Sequence, residues 1–536
     1  MKINKLLIIA LLIASILRLW NLGNIPPSLT PDEASLGYNA YSILKTGRDE
    51  YGKFLPIVFK SFGDYKPGLY VYLTVPFVAT FGLNEIAVRL PSALAGIFSV
   101  FLIYLISSQL FGKKIGTISV FVASITPWLI YFSRGAWEAN VCLTLVLLGI
   151  YLFLRSLQDP RFLILASASF AMTLITYQGA KLSTGIVVFL LSVFYYKDIF
   201  KMSRKYLFSS LILGTLVALP IILSIFSGQT GRLEVFSVFS YPRSKEYIQS
   251  MLNENGEKIG DINYYLFHSE THNFIRGVMG RWFNHFSGSF LFFEGDIANP
   301  RHSAPYQGML LLSDILFLGF GLFVIFKDKI TKEKMIILFW LILAPLPAVL
   351  SRDQVHAIRS LNMVIPLIII ISFGYEKLSK WFLPITILAF IYFLDAYFIH
   401  VPKHNSQLWE YGYKQIVETI TPIQGNYKNI KIQQSFAQPY IYFLFYQKYD
   451  PAKYQKENSH IDSEYKNDVG YVTKLDNIEF TGIDWSVNRG DHGSLIVGDS
   501  IRIPLQDSNS EKEFKLIKEI KYLNDRDIAF RIIEIK

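Results

Sequence analysis

The sequence predicts a polytopic α-helical membrane protein with a small extracytoplasmic α/β domain at its C-terminal end. Three observations support this prediction: apolar runs recur up to residue 400, the chain beyond it is polar, and 51% of the 536 residues are hydrophobic. The mean hydropathy is +0.32. That average is too apolar for an ordinary soluble protein and too polar for one confined to the membrane, so both parts are expected.

Apolar runs long enough to cross about 30 Å of hydrocarbon, at about 20 residues each, predict the membrane spans. We place eleven of them, at 4–22, 88–111, 115–132, 140–157, 162–177, 182–196, 206–226, 307–326, 335–350, 358–374 and 381–399. The first run is interpreted as an uncleaved signal anchor, because no small-residue cleavage site follows it. Residues 68–83 are excluded because this run is short and contains Pro76, which favours an interfacial or re-entrant segment.

The distribution of basic residues predicts the orientation. With 68–83 excluded, the loops on one side hold 16 Lys and Arg residues, and the short loops opposite hold four. The positive-inside rule then places the N-terminus in the cytoplasm. The loops 23–87 and 227–306 and the tail after residue 400 are expected outside. We therefore predict a membrane domain at 1–400 and a soluble extracytoplasmic domain at 401–536.

The tail pattern indicates a small α/β domain. Strand-like runs at 429–434, 494–499 and 530–535 alternate with helix-like stretches at 407–420 and 510–521.

Charge and motifs exclude several classes of protein. The net charge is +10, but the tail from residue 401 holds 18 basic and 19 acidic residues, so the excess belongs to the membrane part. Topology and anionic lipid explain it better than nucleic acid does. The single cysteine, Cys142, excludes an intrachain disulfide. The sequence has no P-loop, GxGxxG or HExxH motif, which disfavours a nucleotide-linked donor, and it shows no metal signature.

Charged residues of the first outer loop are the main candidate site. Asp32 and Glu33 open a helix-like stretch after Pro31, and Asp64 and Lys66 precede the interfacial run. In the alternative interpretation, Asp32 and Glu33 only stabilise the N-terminus of this helix, where the helix dipole favours negative charge. Lys66 could be a snorkelling anchor. In the functional interpretation, Lys66 contacts a lipid phosphate and Asp64 orients it or binds sugar hydroxyls.

Two other outward segments carry charges at a matching depth. Arg134 and Glu138 follow the third span, and their i, i+4 spacing is also that of a simple helix salt bridge. His356 and Arg359 precede the tenth span and would share one helical face; arginine suits bidentate phosphate contacts. The 299–302 segment, Asn-Pro-Arg-His, is a weaker candidate of the same kind. Charges at a bilayer boundary suggest a functional site. Arg134, His356 and Arg359 are therefore candidates for binding the lipid phosphate, and Glu138 for positioning the sugar or the acceptor.

These motifs resemble a known family. TPDEASLGYNAYSIL, DYKPGLYVYL and SRGAWEAN look like the ArnT-like and protein-mannosyltransferase-like group, glycosyltransferase family 39, over roughly residues 1–200. The resemblance implies the GT-C fold, an essential acid at Asp32, a lysine at Lys66 and an acid at Glu138. The usual acid-Lys-Pro-Pro run reads Asp64-Tyr65-Lys66-Pro67-Gly68 here, which makes Asp64 a less exact equivalent.

The resemblance implies an inverting glycosyltransferase in the plasma membrane of a bacterium or archaeon. Its donor would be a sugar on a polyprenyl phosphate, and its acceptor a hydroxyl of a protein, lipid or glycan at the outer face. We expect Asp32 to act as general base with Glu33 in support. No cofactor is predicted, although some proteins of the broader fold use a divalent cation. The alternatives are a polyprenyl-lipid flippase, which would carry charges at mid-membrane, and a non-catalytic scaffold.

Overall fold

The structure is a computed structural model that describes residues 5–226, 237–240, 242–457, 460–462, 469–504 and 513–536. Helices dominate the first 400 residues. The helices of the first half are α1 (Lys5–Leu19), α2 (Pro31–Thr46), α3 (Leu69–Phe81), α4 (Glu85–Phe111), α5 (Lys113–Ile125), α6 (Pro127–Ser133), α7 (Glu138–Ser156), α8 (Phe162–Leu174), α9 (Ala180–Phe200), α10 (Arg204–Phe226) and α11 (Lys245–Asn253). The later helices are α12 (Glu270–Asn284), α13 (Asp314–Lys327), α14 (Lys332–Leu343), α15 (Leu346–Val349), α16 (Val364–Asp395), α17 (Val401–His404), α18 (Tyr413–Ile420), α19 (Pro439–Tyr446), α20 (Pro451–Glu457) and α21 (Trp485–Asn488).

Several helices are long and apolar enough to cross a membrane. Within the described residues there are five by length and composition, or six if α5 and α6, which meet at 57°, form one bent span. The five are Glu85–Phe111, Glu138–Ser156, Arg204–Ser224, Leu361–Leu378 and Phe382–His404. The chain is thus a multi-pass membrane protein, while the number eleven stays a prediction. The predicted spans 358–374 and 381–399 lie mostly on one continuous helix, α16.

Helices α13 and α16 approach each other at two glycines. A β-carbon at Gly321 would collide with the carbonyl of Ile370, and one at Gly374 would collide with the carbonyl of Phe317. Small residues let helix backbones approach this closely inside a membrane, where packing rather than the hydrophobic effect drives association. These glycines therefore fix the crossing of the two helices.

The first outer loop is folded rather than extended. Thr30 caps α2 in a capping box with Glu33, and α2 ends at Gly47 in the left-handed conformation. Strands β1 (Val58–Ser61) and β2 (Asp64–Pro67) form an antiparallel hairpin. The excluded run 68–83 contains α3, which at 13 residues is shorter than a span and carries Pro76.

The tail contains a mixed β-sheet. The tail strands are β3 (Ile430–Gln433), β4 (His460–Ile461), β5 (Tyr471–Val472), β6 (Lys474–Leu475), β7 (Ile478–Thr481), β8 (Leu495–Gly498), β9 (Phe514–Lys521) and β10 (Ile528–Ile535). Six of them form the sheet, in the order β6-β7-β3-β8-β10-β9. The three predicted strands are confirmed as β3, β8 and β10. Of the predicted helix 407–420, only the part from Tyr413 is the helix α18.

The predicted helix at 510–521 is wrong over its described part, because Phe514–Lys521 is strand β9; residues 510–512 lie outside the described residues. Its apolar positions, Phe514, Ile517 and Ile520, recur every three residues, which is a helical spacing. Pairing with β10 across the turn before Ile528 overrides this pattern, and a register shift near Ile532 accommodates it.

The first outer loop and the tail share one hydrophobic core. Tyr38 of α2 donates a hydrogen bond to the carbonyl of Tyr449 at 3.2 Å, and Tyr442 of α19 donates to the carbonyl of Leu29 at 3.1 Å. All the aromatic rings involved are buried in the same cluster. The tail is therefore packed onto the loop that carries the candidate acids, and the domain boundary at residue 400 stays a prediction.

The glycine crossing predicts a matched pair of substitutions. Gly321→Ala should lower the melting temperature of the purified protein, because overpacking of a close contact costs about 1–3 kcal/mol. Gly319→Ala, on the same helix with open space around its position, should be neutral or slightly stabilising, because alanine is the better helix former by about 1 kcal/mol. Equal melting temperatures for the two variants would contradict the crossing.

Candidate functional site

Asp32 and Lys66 form an ion pair between the start of α2 and strand β2. The Asp32 carboxylate is 63% exposed and the Lys66 side chain 24% exposed, so the pair lies open to solvent on one side. Burial lowers the pKa of Lys66, but the charges of Asp32 and Glu138 outweigh it and raise the pKa above its ordinary value. Lys66 is therefore a permanent cation held among acids.

Glu33, the neighbour of Asp32, is buried and fully bonded. One carboxylate oxygen accepts from Arg89 Nε at 3.0 Å and from the backbone N–H of Ala136 at 2.9 Å; the other accepts from the backbone N–H of Thr30 at 3.0 Å. Adjacent residues on a helix point about 100° apart, so Asp32 faces away from this pair. The geometry gives Glu33 a positioning role, and Thr30 rather than Asp32 is the helix cap.

Asp64 and Arg359 line the same cavity of about 460 Å³. The cavity is also bounded by Tyr177, Gln178 and Lys181 at the junction of α8 and α9. Gln178 Nε2 donates to the carbonyl of Tyr65 at 2.8 Å and so ties this junction to β2. Because alternate residues of a strand share a face, Lys66 lies on the Asp64 side of β2. Asp64 and Arg359 thus line one cavity, and Lys66 lies near Asp64 on β2.

Lys181 is a cavity residue that the sequence analysis missed. It was counted only as a basic residue of a short loop, yet Lys181 Nζ reaches Gln178 Oε1 at 3.3 Å and faces the cavity. It also lines a second, apolar groove of about 670 Å³ between α8, α9 and α10. A lysine at the start of an otherwise apolar helix was the available signal. Lys181 is thus shared by the groove and the cavity.

Glu138 begins α7 and interacts electrostatically with both Lys66 and Asp32. It also faces Tyr177, a residue of the cavity. The alternative interpretation of Glu138, a simple helix salt bridge with Arg134, does not describe the structure, which groups Glu138 with residues of the first outer loop. Three segments far apart in sequence supply these charges.

Arg134 does not lie at the cavity, in contrast to its predicted contact with a lipid phosphate. It is fully buried, and its guanidinium donates to the carbonyls of Leu17, Trp20 and Ile25 at 2.7–2.9 Å. The ring of Phe398 covers it at 4.9 Å. Its bonds hold the end of α1, where carbonyls lack helical partners. Arg134 therefore acts as a structural residue here.

His356 and Arg359 lie in a turn rather than on the predicted helical face. The Arg359 backbone N–H donates to His356 Nδ1 at 3.4 Å, and the Arg359 guanidinium donates to Asp353 at 3.3 Å. His356 is buried and stands against His302, with ring centroids 5.3 Å apart. Burial lowers the pKa of both histidines, which favours neutral imidazoles.

One group of residues could hold a metal ion. Among the described residues, Asp296, His302 and His356 are buried and offer ligand atoms within 4.8 Å of one another. Of these three, only His302 and His356 stand out in the sequence, as residues of the 299–302 segment and of the pair with Arg359. Asp296 lies in a loop and carries no motif spacing, so sequence offered little signal for it.

Glu50 is a second acid that the sequence did not indicate, and it lies near the Asp32–Lys66 ion pair. Its backbone N–H and one carboxylate oxygen bond to the amide of Asn39, at 3.0 and 2.9 Å. The other oxygen has no hydrogen-bond partner within the described part of the chain. Burial raises the pKa of Glu50 to about 8, with the nearby charges of Asp49 and Lys66 acting in opposite directions. Glu50 is therefore mostly protonated at neutral pH.

This pKa predicts a pH dependence of stability. A carboxyl whose folded pKa is raised binds its proton more tightly when folded, so its contribution is complete below about pH 4.5 and is lost as the pH rises through about 8. Glu50→Gln keeps the neutral form. Its free energy of unfolding relative to wild type should therefore rise between pH 5 and 8.5, by at most about 1.4 kcal/mol per pH unit, and its melting temperature should rise relative to wild type in parallel. The exposed control Glu254→Gln should show no such trend. Parallel curves for Glu50→Gln and wild type would refute the raised pKa.

Comparison with known proteins supports the predicted resemblance. Residues 65–223 match the family described as dolichyl-phosphate-mannose-protein mannosyltransferase. Two Bacillus subtilis proteins with provisional mannosyltransferase assignments are similar: YycA is 28% identical over 30% of this chain, and YkcB is 26% identical over 31%. The matched segments span only 23% and 22% of those two relatives.

The fold extends the likeness to almost the whole chain. The crystal structure of ArnT from Cupriavidus metallidurans bound to undecaprenyl phosphate superposes with a TM-score of 0.56 at 10% identity, covering 98% of this chain and 97% of that one. At this identity the match shows the fold alone. Sequence and fold together confirm the predicted resemblance of this chain to the protein-mannosyltransferase-like and ArnT-like membrane glycosyltransferases of the GT-C fold.

Proposed function

We propose that this protein is an inverting glycosyltransferase that moves a sugar from a polyprenyl-phosphate donor to a hydroxyl acceptor. The observation that carries the proposal is that a cavity lined by the charged residues Asp64, Lys181 and Arg359 shares Lys181 with an apolar groove. A polyprenyl phosphate would match this arrangement, because it has an anionic head group on a long apolar chain. The neighbouring Asp32–Lys66 pair supplies an exposed carboxylate beside the cavity.

Cations on two sides of the cavity suit a departing phosphate. Lys181 and Arg359 come from α9 and from the turn before α16, and both line the cavity. Charge-assisted bonds to phosphate are about twice as strong as neutral ones. As the bond between the sugar carbon and the phosphate oxygen breaks, its electron pair goes to that oxygen, and these cations stabilise the charge.

Asp32 is the proposed general base. Without donor, its carboxylate pairs with Lys66. A donor phosphate at Lys66 would compete for this ammonium group and release the carboxylate, which then accepts the proton of the attacking hydroxyl. The hydroxyl oxygen forms the new bond on the face opposite the phosphate, so a single displacement inverts the sugar carbon. We propose the outer face of the plasma membrane for this reaction, an orientation that the distribution of basic residues among the loops supports.

Charge placement favours transfer over transport. Asp32, Lys66, Glu138 and Arg359 gather around one end of the helical bundle, whereas a translocation path would need ionisable groups along its length. A scaffold would need no such gathering.

The base is tested by two adjacent substitutions. Asp32→Asn keeps shape and helix geometry but removes basicity, so transfer from a polyprenyl-phosphate sugar should fall about 10²–10⁴-fold with an unchanged melting temperature. Glu33→Gln should instead lower stability, because breaking a buried ion pair such as Glu33–Arg89 costs about 3–5 kcal/mol. A normal transfer rate for Asp32→Asn would remove Asp32 from the chemistry.

The donor site is tested by removing its cations. Lys66→Ala, Lys181→Ala and Arg359→Ala should each weaken use of the polyprenyl-phosphate sugar about 10–150-fold in kcat/KM, the equivalent of about 1.5–3 kcal/mol for one charge-assisted contact. Arg352→Ala is the matched control, since this arginine is exposed and does not line the cavity. Unaltered donor use by all three variants, or efficient use of a nucleotide sugar instead, would sink the lipid-donor proposal.

A further inference from the structure

Asp296, His302 and His356 form a compact group at the end of the large outer loop. All three are buried, at 0%, 5% and 8% exposure, and their ligand atoms lie within 4.8 Å of one another. His302 and Asp296 belong to one short loop, which contains Gly295 at a φ of +72° and a single 3₁₀ turn at Pro300–His302. His356 comes from the distant segment before α16.

We propose that this group binds one divalent transition-metal ion of the Zn²⁺ class. Two imidazoles and one carboxylate are the ligand types that Zn²⁺ takes, with a fourth position left for solvent. Imidazole ligands favour this class over Mg²⁺ and Ca²⁺, which prefer sets made only of oxygen ligands. The chemistry of the three side chains, rather than any sequence motif, carries the assignment.

The surrounding hydrogen bonds already orient the carboxylate. One Asp296 oxygen accepts from the backbone and side-chain N–H groups of Asn299, both at 3.1 Å. The other accepts from the backbone N–H of Ala357 at 2.8 Å and pairs with His302 Nδ1 at 2.8 Å. Metal ligands are usually held by such outer bonds. An ion bound between His302 and Asp296 would replace the hydrogen shared by that pair, while Asn299 and Ala357 keep the carboxylate in place.

His356 is held in a similar way. Its backbone N–H donates to His285 Nε2 at 3.2 Å, and His285 Nδ1 lies 2.8 Å from the carbonyl of Arg281. His285 is thus engaged at both nitrogens and supports His356 without joining the ligand group. The ring of His302 packs against the rings of Trp137 and Phe132, with centroid distances of 5.5 Å to each. This rigid setting limits the freedom that metal binding would otherwise have to remove.

The ion would join the large outer loop to the segment that carries Arg359. Because Arg359 lies three residues after His356 and its N–H contacts the His356 ring, a metal at this group would fix the backbone that presents Arg359 to the cavity. The role inferred is structural, and it does not depend on the glycosyl-transfer proposal.

Metal binding is measured on the full-length protein in detergent, after EDTA treatment and desalting. We expect Co²⁺ to bind at about one ion per chain with the visible absorption of a tetrahedral nitrogen and oxygen site, and Zn²⁺ to displace it and raise the melting temperature. His302→Gln and His356→Gln should each weaken binding at least about 10-fold, since even outer-shell changes cost that much.

A surface histidine pair provides the control. His400 and His404 stand with ring centroids 5.5 Å apart, and His400 lies 3.1 Å from Asp395, so these residues could trap metal adventitiously. The double variant His400→Gln/His404→Gln should keep both the Co²⁺ absorption and the Zn²⁺-dependent rise in melting temperature. If the His302 and His356 variants fail to fold, loss of the Co²⁺ absorption in this double variant overturns the inference, and its retention supports it.

Three results would overturn the inference: no Co²⁺ absorption in the wild-type protein, absorption retained in both His302→Gln and His356→Gln, or loss of binding only in the surface double variant. None of these measurements uses glycosyl transfer. Failure of the metal site therefore leaves the proposed reaction untouched, and loss of transfer in Asp32→Asn says nothing about the metal.

Discussion

The buried ion pair between Glu33 and Arg89 is the constraint on which the geometry of the site depends. Arg89 also donates to the carbonyls of Leu22, Pro26 and Ser28. The pair thus ties the link between α1 and α2 to α4, while Glu33 holds the backbone before α7. A buried charge without its partner is strongly destabilising, so the pair persists as a unit. Asp32 owes its position to this unit, because the residue beside it on the same helix turn cannot move.

The tail reinforces the same arrangement from outside. Gly37 of α2 leaves no room for a β-carbon, since one would collide with Phe445 of α19 and with Val88 of α4. Helix α2 is therefore clamped between the tail and the first long membrane helix. A loop at a membrane surface would ordinarily be among the more mobile parts of a protein. Here it shares a core with a six-stranded sheet, which suits a segment that must present one carboxylate precisely.

Patterns of hydrophobicity predicted elements well and side-chain partners poorly. The strands at 429–434, 494–499 and 530–535 follow from alternation of apolar residues, and long apolar runs identified the membrane helices. Strand β9 was missed because its spacing is helical and its pairing is tertiary. At the candidate site, Asp32, Lys66 and Arg359 were singled out because charges beside apolar runs are conspicuous. Arg134 also lies beside an apolar run in the sequence, but its guanidinium donates to backbone carbonyls at the end of α1. Only the packing of the helices distinguishes these two cases.

The electrostatics of the cavity explain why one cation would be insufficient for an anionic donor. Lys66 is already balanced by Asp32 and influenced by Glu138, so a phosphate at this lysine alone would exchange one ion pair for another and meet two carboxylates at close range. Arg359 and Lys181 approach from the other elements that line the cavity. In the proposed mechanism their charges would shift this exchange toward the phosphate, because opposite charges in a partly buried setting interact more strongly than in water. The freed Asp32 carboxylate would then be a consequence of donor binding, which couples the base to the presence of its substrate.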